Sequence, residues 1–125
     1  NFSNAKIDFE KSNRIKPNYT ANYNLGTIYF YEQNFNKATE NYKIALDINN
    51  KDYRTWAGLA ASLFWSGENY AKADSCYRKA IELALKTDKV NPLDYSVKAD
   101  MAGYYVQIDE PKKALSLKKA RSSLP

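Results

Sequence analysis

The chain repeats itself. Tyr23 to Tyr29 reads YNLGTIY and Ala57 to Leu63 reads AGLAASL, so that Leu25 meets Leu59, Gly26 meets Ala60 and Tyr29 meets Leu63, each 34 positions on. Further along, Phe35, Ala38, Tyr42 and Ala45 meet Tyr70, Ala73, Tyr77 and Ala80 at 35 positions, which puts one added residue near Ser66-Gly67-Glu68. A third copy places Ala102 and Tyr105 on Ala60 and Leu63, and Ala114 on Ala73. Phe2, Ala5, Phe9 and Ser12 carry the spacing of Phe35, Ala38, Tyr42 and Ala45 ahead of Pro17. A period of this length marks a supersecondary unit that cannot bury its apolar face alone and must stack on copies of itself.

Within each unit, small and large residues recur together at helical spacing. With 4 Gly and 4 Pro in 125 residues and 11 Tyr, the chain has few turn-formers and reads as helical throughout. The spacing predicts helices near 2–16, 19–32, 35–48, 53–66, 70–90, 94–107 and 111–122. If the two helices of a unit pack antiparallel, the small residues mark where their backbones come closest. Gly26, Ala60 and Ala102 are expected at that crossing on the first helices, and Ala5, Ala38, Ala73 and Ala114 on the second. Tyr29, Tyr42, Tyr77, Tyr105 and Phe9 are expected to fill the space between neighbouring hairpins, with hydroxyls at the wet edge.

Trp56, Leu59, Ala60 and the YRKAIEL segment around Ala80 carry the pattern of a known family most fully. The chain resembles the tetratricopeptide repeat (TPR) family over nearly its whole length. The resemblance implies an all-α fold: a right-handed α-solenoid of antiparallel helix hairpins, about three and a half repeats. Residues 1–18 would be the second helix of a truncated repeat, followed by repeats at 19–52, 53–93 and 94–125.

Two departures stand out. Between Ala80 and Pro92 lie seven more residues than a standard repeat holds, close to two helical turns. An extended second helix is expected there, continuing inward with Ile81, Ala84 and Leu85 and stopping near Asn91-Pro92. This segment is similar to TPR tails of bacterial proteins that also carry kinase, cyclase or winged-helix regulator domains. In the last unit, Lys118 and Arg121 stand where Tyr77 and Ala80 stand earlier, and no polar capping helix follows.

The formal charge of +5 is concentrated in Lys112 to Arg121, KKALSLKKAR, which reads as the solvated face of a helix. Nucleic acid or an acidic partner on that face is the minority expectation. A single cysteine, Cys76, excludes an intrachain disulfide, and with no histidine there is no zinc constellation. Nucleophilic catalysis has no histidine to activate Ser or Cys, and phosphate loops and dinucleotide fingerprints are absent. The expectation is no enzyme, no metal and no cofactor. No apolar run approaches the ~18 residues that span a bilayer. No signal pattern is visible, and a cytoplasmic setting is favoured. Asn1-Phe2-Ser3 and Asn18-Tyr19-Thr20 match the glycosylation sequon, a motif common by chance.

First helices line the concave side of such a stack. Tyr23, Asn24, Thr27 and Tyr31 are expected to face inward from the first full repeat, Arg54, Ala57, Ala61 and Trp65 from the second, and Ser96, Ala99, Asp100, Gly103 and Gln107 from the third. That gives aromatic walls, a floor of small residues and a few polar anchors, suited to an extended or helical peptide. The competing reading is that Tyr31, Phe64 and Trp65 only close the hairpins on each other. Some family members hold a C-terminal carboxylate with Lys, Asn and Arg from successive first helices. Here the matching places carry Tyr23, Thr27, Gly58, Ser96 and Asp100, so chaperone-tail recognition is disfavoured. The expected partner is a protein or peptide, with self-association through exposed end helices as the alternative.

Overall fold

A computed structural model describes residues 2–108. Six helices follow one another: α1 (Phe2–Ile15), α2 (Tyr19–Tyr31), α3 (Phe35–Ile48), α4 (Tyr53–Ser66), α5 (Tyr70–Val90) and α6 (Tyr95–Gln107). Their bounds agree with the expected helices to within a residue, and the described residues hold no strand. The helix expected over 111–122 lies outside the described residues, and with it Ala114 and the basic run.

Each helix from α2 to α6 starts on a short polar side chain that accepts a backbone N–H of the first turn. The caps are Asn18 to the amide of Ala21, Asn34 to Lys37, Asp52 to Arg54, Asn69 to Lys72 and Asp94 to Ser96. Each is worth ~1 kcal/mol. The Asn18 amide group also donates to Ser12 Oγ and to the carbonyl of Lys16, so the second sequon asparagine is engaged in structure. The two hairpin turns place Gln33 (φ 63°) and Gly67 (φ 74°) in the left-handed region, 34 positions apart. The caps that follow, Asn34 and Asn69, are 35 apart, so the added residue is Glu68.

Each helix packs on the next in sequence, and α2 also touches α4, the like helix of the following hairpin. That pattern is a helical solenoid. Ala38, Ala60, Ala73 and Ala102 are fully buried, as the repeat predicts, whereas Ala5 on α1 is half-buried. Gly26 shows why the position must be small. A β-carbon on it would lie 2.8 Å from the Tyr42 ring of α3. Tyr29, Tyr42 and Tyr77 are buried in one core with Leu25, Leu59 and Leu63, and Phe9 and Tyr105 pack partly buried against it. Cys76 is buried in the same core, where burial pushes its thiol pKa up and away from reactivity.

The long α5 stops at Val90 and is capped by Asn91. Ala80, Ile81 and Ala84 continue the buried stripe, but Leu85 does not: it is 46% exposed. The 3.6-residue period carries the face from Ala80 and Ile81 through Ala84 and turns Leu85 outward, while Leu83 is the leucine that packs, partly buried, beside Val97 and Met101. Lys98 of α6 clips the far end of α5, donating to Asp88 and to the carbonyl of Pro92.

Candidate functional site

The first helices meet along one groove of about 300 Å³. Tyr23, Thr27 and Tyr31 of α2, Arg54, Ala57 and Ala61 of α4, and Asp100 of α6 line it together. Phe30, Tyr42, Gly58 and Tyr104 complete the lining and were not among the expected residues. Asn24, Trp65, Ser96, Ala99, Gly103 and Gln107 stand outside it. Trp65 sits at the C-terminal end of α4, 60% exposed, edge-on to Phe64. The Ser96 hydroxyl donates to Asp94 and lines a separate cavity of about 500 Å³ at the N-termini of α4 and α6.

Tyr42 is the residue on which the groove is built. Its ring lies between α2 and α4, so close that a β-carbon on Gly26 would stand 2.8 Å from it and one on Gly58 2.6 Å. Two glycines on neighbouring hairpins thus admit one ring from a second helix. The ring carries its hydroxyl to the groove, 2.8 Å from Thr27 Oγ1. Burial pushes the Tyr42 phenol up to about 12, against the opposing effect of the Thr27 hydrogen bond. A sequence reading that assigned the groove to first helices alone could not find Tyr42. The signal was the second small residue, Gly58, one turn before Ser62.

Aromatic contacts hold the walls. Tyr23 stacks on Tyr19 and meets Tyr42 edge-on, both at 6.0 Å between ring centres. On the other wall Tyr104 packs against Tyr53 at 6.2 Å and Tyr77 at 5.9 Å. Tyr31 is 67% exposed at the end of the groove and stacks on Phe2 of α1.

Two charged side chains line the groove, and each is already engaged. Arg54 donates from Nε (3.2 Å) and Nη2 (2.9 Å) to the two carboxylate oxygens of Asp52. That pair holds the guanidinium pKa above its ordinary value. Burial alone would raise the Asp52 carboxyl, but the hydrogen bonds from Arg54 outweigh it and hold the carboxyl below the usual range. Asp100 accepts from the Tyr53 hydroxyl at 2.7 Å. Burial, then the Asp100 charge, keep the Tyr104 hydroxyl neutral well above its ordinary pKa. The lining holds no nucleophile beside a base, and the described residues hold no group of His, Cys, Asp and Glu suited to a metal. No described helix is long and apolar enough to cross a membrane.

The model of the family described as tetratricopeptide repeat matches residues 19–52 and 53–87, more than half of the 125 residues. The chain belongs to the tetratricopeptide repeat family. The two matched TPR units are the hairpin α2–α3 and the hairpin α4–α5 as far as residue 87. No curated protein matches the chain in sequence. Among solved structures, the chain is similar to MamA (residues 41 to the end) from Desulfovibrio magneticus RS-1. The two share 18% identity and a TM-score of 0.69, over 99% of this chain and 69% of that one. A crystal structure of MamA aligns at 17% identity and a TM-score of 0.58, over 98% of this chain and 92% of that one. At such identity the likeness is one of fold. TPR arrays are in general protein-interaction scaffolds and typically not enzymes.

Proposed function

We propose that the chain is a non-catalytic scaffold that takes an extended or helical peptide, or a partner domain, in the groove between its first helices. It would act as part of a larger protein, with repeat units at 19–52, 53–93 and 94–125 and a lone second helix at 1–18. The observation that carries this reading is the convergence of α2, α4 and α6 on one groove with aromatic walls and the small floor of Ala57, Gly58 and Ala61. Rings offer large contact area at small entropic cost, and a floor without bulk lets a backbone approach.

The test is a peptide library panned against the whole chain. Tyr23 is unsuited to it, because Tyr23 packs on Tyr19 and Tyr42 and its loss would disturb the fold. Ala61→Arg fills the floor, and Tyr31→Ala removes an exposed wall. Selected peptides should lose at least about tenfold in affinity on Ala61→Arg, the equivalent of one lost anchor contact, with the melting temperature retained. Undiminished binding to both variants would move the site elsewhere.

A second reading is self-association. It is favoured by α1, which exposes Phe2, Ile7 and Ile15 and buries no residue fully. Sedimentation across a range of concentrations decides it: a single monomeric species throughout removes this reading.

A further inference from the structure

Resting on the groove reading, we infer that the accepted segment is basic and seats a lysine or arginine side chain against the Asp100 carboxylate, beside the rings of Tyr23 and Tyr104. Asp100 is the one charged group of the lining without an opposite charge. Its Oδ2 accepts from the Tyr53 hydroxyl, and none of the ion pairs among the described residues includes it. The Arg54 charge is matched by Asp52, whose two carboxylate oxygens accept from its Nε and Nη2. With Arg54 matched by Asp52, Asp100 leaves the lining with one uncompensated negative charge, on a chain whose formal charge is +5. The local field is opposite in sign to the net charge, so overall charge alone would point to the wrong partner.

The surroundings strengthen that field. A half-buried carboxylate between aromatic walls is screened less than one on an open surface. Beyond burial, the Asp100 charge favours the neutral forms of the Tyr53 and Tyr104 hydroxyls, while at Tyr23, after burial, Arg54 acts in the opposite direction and outranks the weaker Asp100 charge. Ring faces attract a cation in the same place. An acidic segment would meet the Asp100 carboxylate, and the guanidinium of the lining is already paired with Asp52.

The probe is the pentapeptide acetyl-Ala-Ala-Lys-Ala-Ala-amide, with analogues carrying norleucine or glutamate at the central position. Each is titrated into the whole chain and followed through backbone amide resonances. The lysine peptide should shift groove amides such as Thr27, Ala57 and Ala61, and bind about tenfold tighter than the norleucine analogue, the size of one charge-assisted hydrogen bond. The glutamate peptide should bind weakest. Asp100→Asn keeps an acceptor for Tyr53 and removes the charge, so the fold should persist while the lysine preference disappears. Equal binding of lysine and norleucine peptides in the groove overturns the cation seat and leaves the groove reading standing. Shifts confined to amides away from the groove overturn both. If replacing Lys112, Lys113, Lys118 and Lys119 by Gln tightens the lysine peptide, the chain's own basic run competes for the seat, and an external partner is overturned as its occupant.

Discussion

A β-carbon placed on Gly58 would stand 2.6 Å from the Tyr42 ring, nearer than on any other glycine of the described residues. The ring cannot retreat, because Gly26 bounds it on the other side at 2.8 Å and Thr27 holds its hydroxyl. Alanine at 58 gains up to ~1 kcal/mol of helix propensity but overpacks the contact by ~1–3 kcal/mol. Gly58→Ala should therefore destabilise in urea unfolding. It should also weaken peptide binding, because the displaced ring lines the groove. A more stable Gly58→Ala protein would show that the ring has room to move.

Changes at two other positions should instead stabilise. A β-carbon on Gly103 of α6 would meet nothing within 4 Å, so Gly103→Ala should gain up to ~1 kcal/mol from helix propensity alone. Gln33 sits at φ 63°, where a side chain is strained, and its repeat counterpart is Gly67. Gln33→Gly should raise stability by ~1 kcal/mol by relieving that strain. Thermal melts of the two single variants and the double check both the sign and the additivity expected of distant sites.

Much of this architecture was legible because it is periodic. The 34-residue repeat located six helices to within a residue, and the burial of Ala38, Ala60 and Ala73 follows from the same pattern. Seven of the expected inward residues share one groove because α2, α4 and α6 present equivalent faces. What escaped was non-periodic. In sequence Gly58 is one more place where a carboxylate clamp is missing, yet its role is to admit Tyr42. The cap asparagines and aspartates were visible as letters, but a period of large and small apolar residues does not count them. Asn22, Thr55 and Ser62 are buried polar residues whose partners lie on other turns or helices, so no local pattern announced them.

Asn22 is the costliest of these to lose. It is fully buried, and its amide group donates to Asn13 Oδ1 (2.7 Å) and to the Asn18 carbonyl (2.9 Å). Its oxygen accepts from Asn41 Nδ2 at 3.1 Å, so α1, α2 and α3 are joined through one side chain. Asn22→Ala leaves Asn41 Nδ2 without this acceptor and Asn13 Oδ1 with only the Asn18 amide, and should cost ~2–4 kcal/mol. Hydrogen exchange should quicken along α1 first, since no α1 residue is fully buried. Unchanged exchange in α1 would show that apolar contact alone holds it.

The Lys98 clip should be what keeps the last turns of α5 formed. Val90 and Leu93 are exposed there, so apolar burial does little for this end. Lys98→Met retains the apolar stem and removes the charge, leaving the part-buried Asp88 and the Pro92 carbonyl without their donor. A loss of ~1–3 kcal/mol follows, together with faster exchange of the amides near Asp88. Protection that stays uniform along α5 would mean that its helical hydrogen bonds suffice.

Stability should fall steeply in alkali, and Tyr77 provides the clean test. Burial pushes its phenol up to about 12, as it does for Tyr42. Between the ordinary value near ~10 and that raised value, the unfolded chain has released the proton while the folded chain still holds it. The unfolded state then binds fewer protons, so stability declines as pH rises. The contribution is complete below pH ~10 and is lost as pH climbs through about 12, at no more than ~1.4 kcal/mol per pH unit for each such tyrosine. Tyr77→Phe removes one titrating group without breaking a hydrogen bond among the described residues, so it should match the parent near neutrality and decline less steeply above pH ~10. Tyr42→Phe should share the shallower decline but start ~1 kcal/mol lower, having lost the bond to Thr27. Urea unfolding across the alkaline range measures both slopes, and curves for Tyr77→Phe and the parent that run parallel throughout would mean that the Tyr77 phenol titrates at its ordinary value in the folded chain.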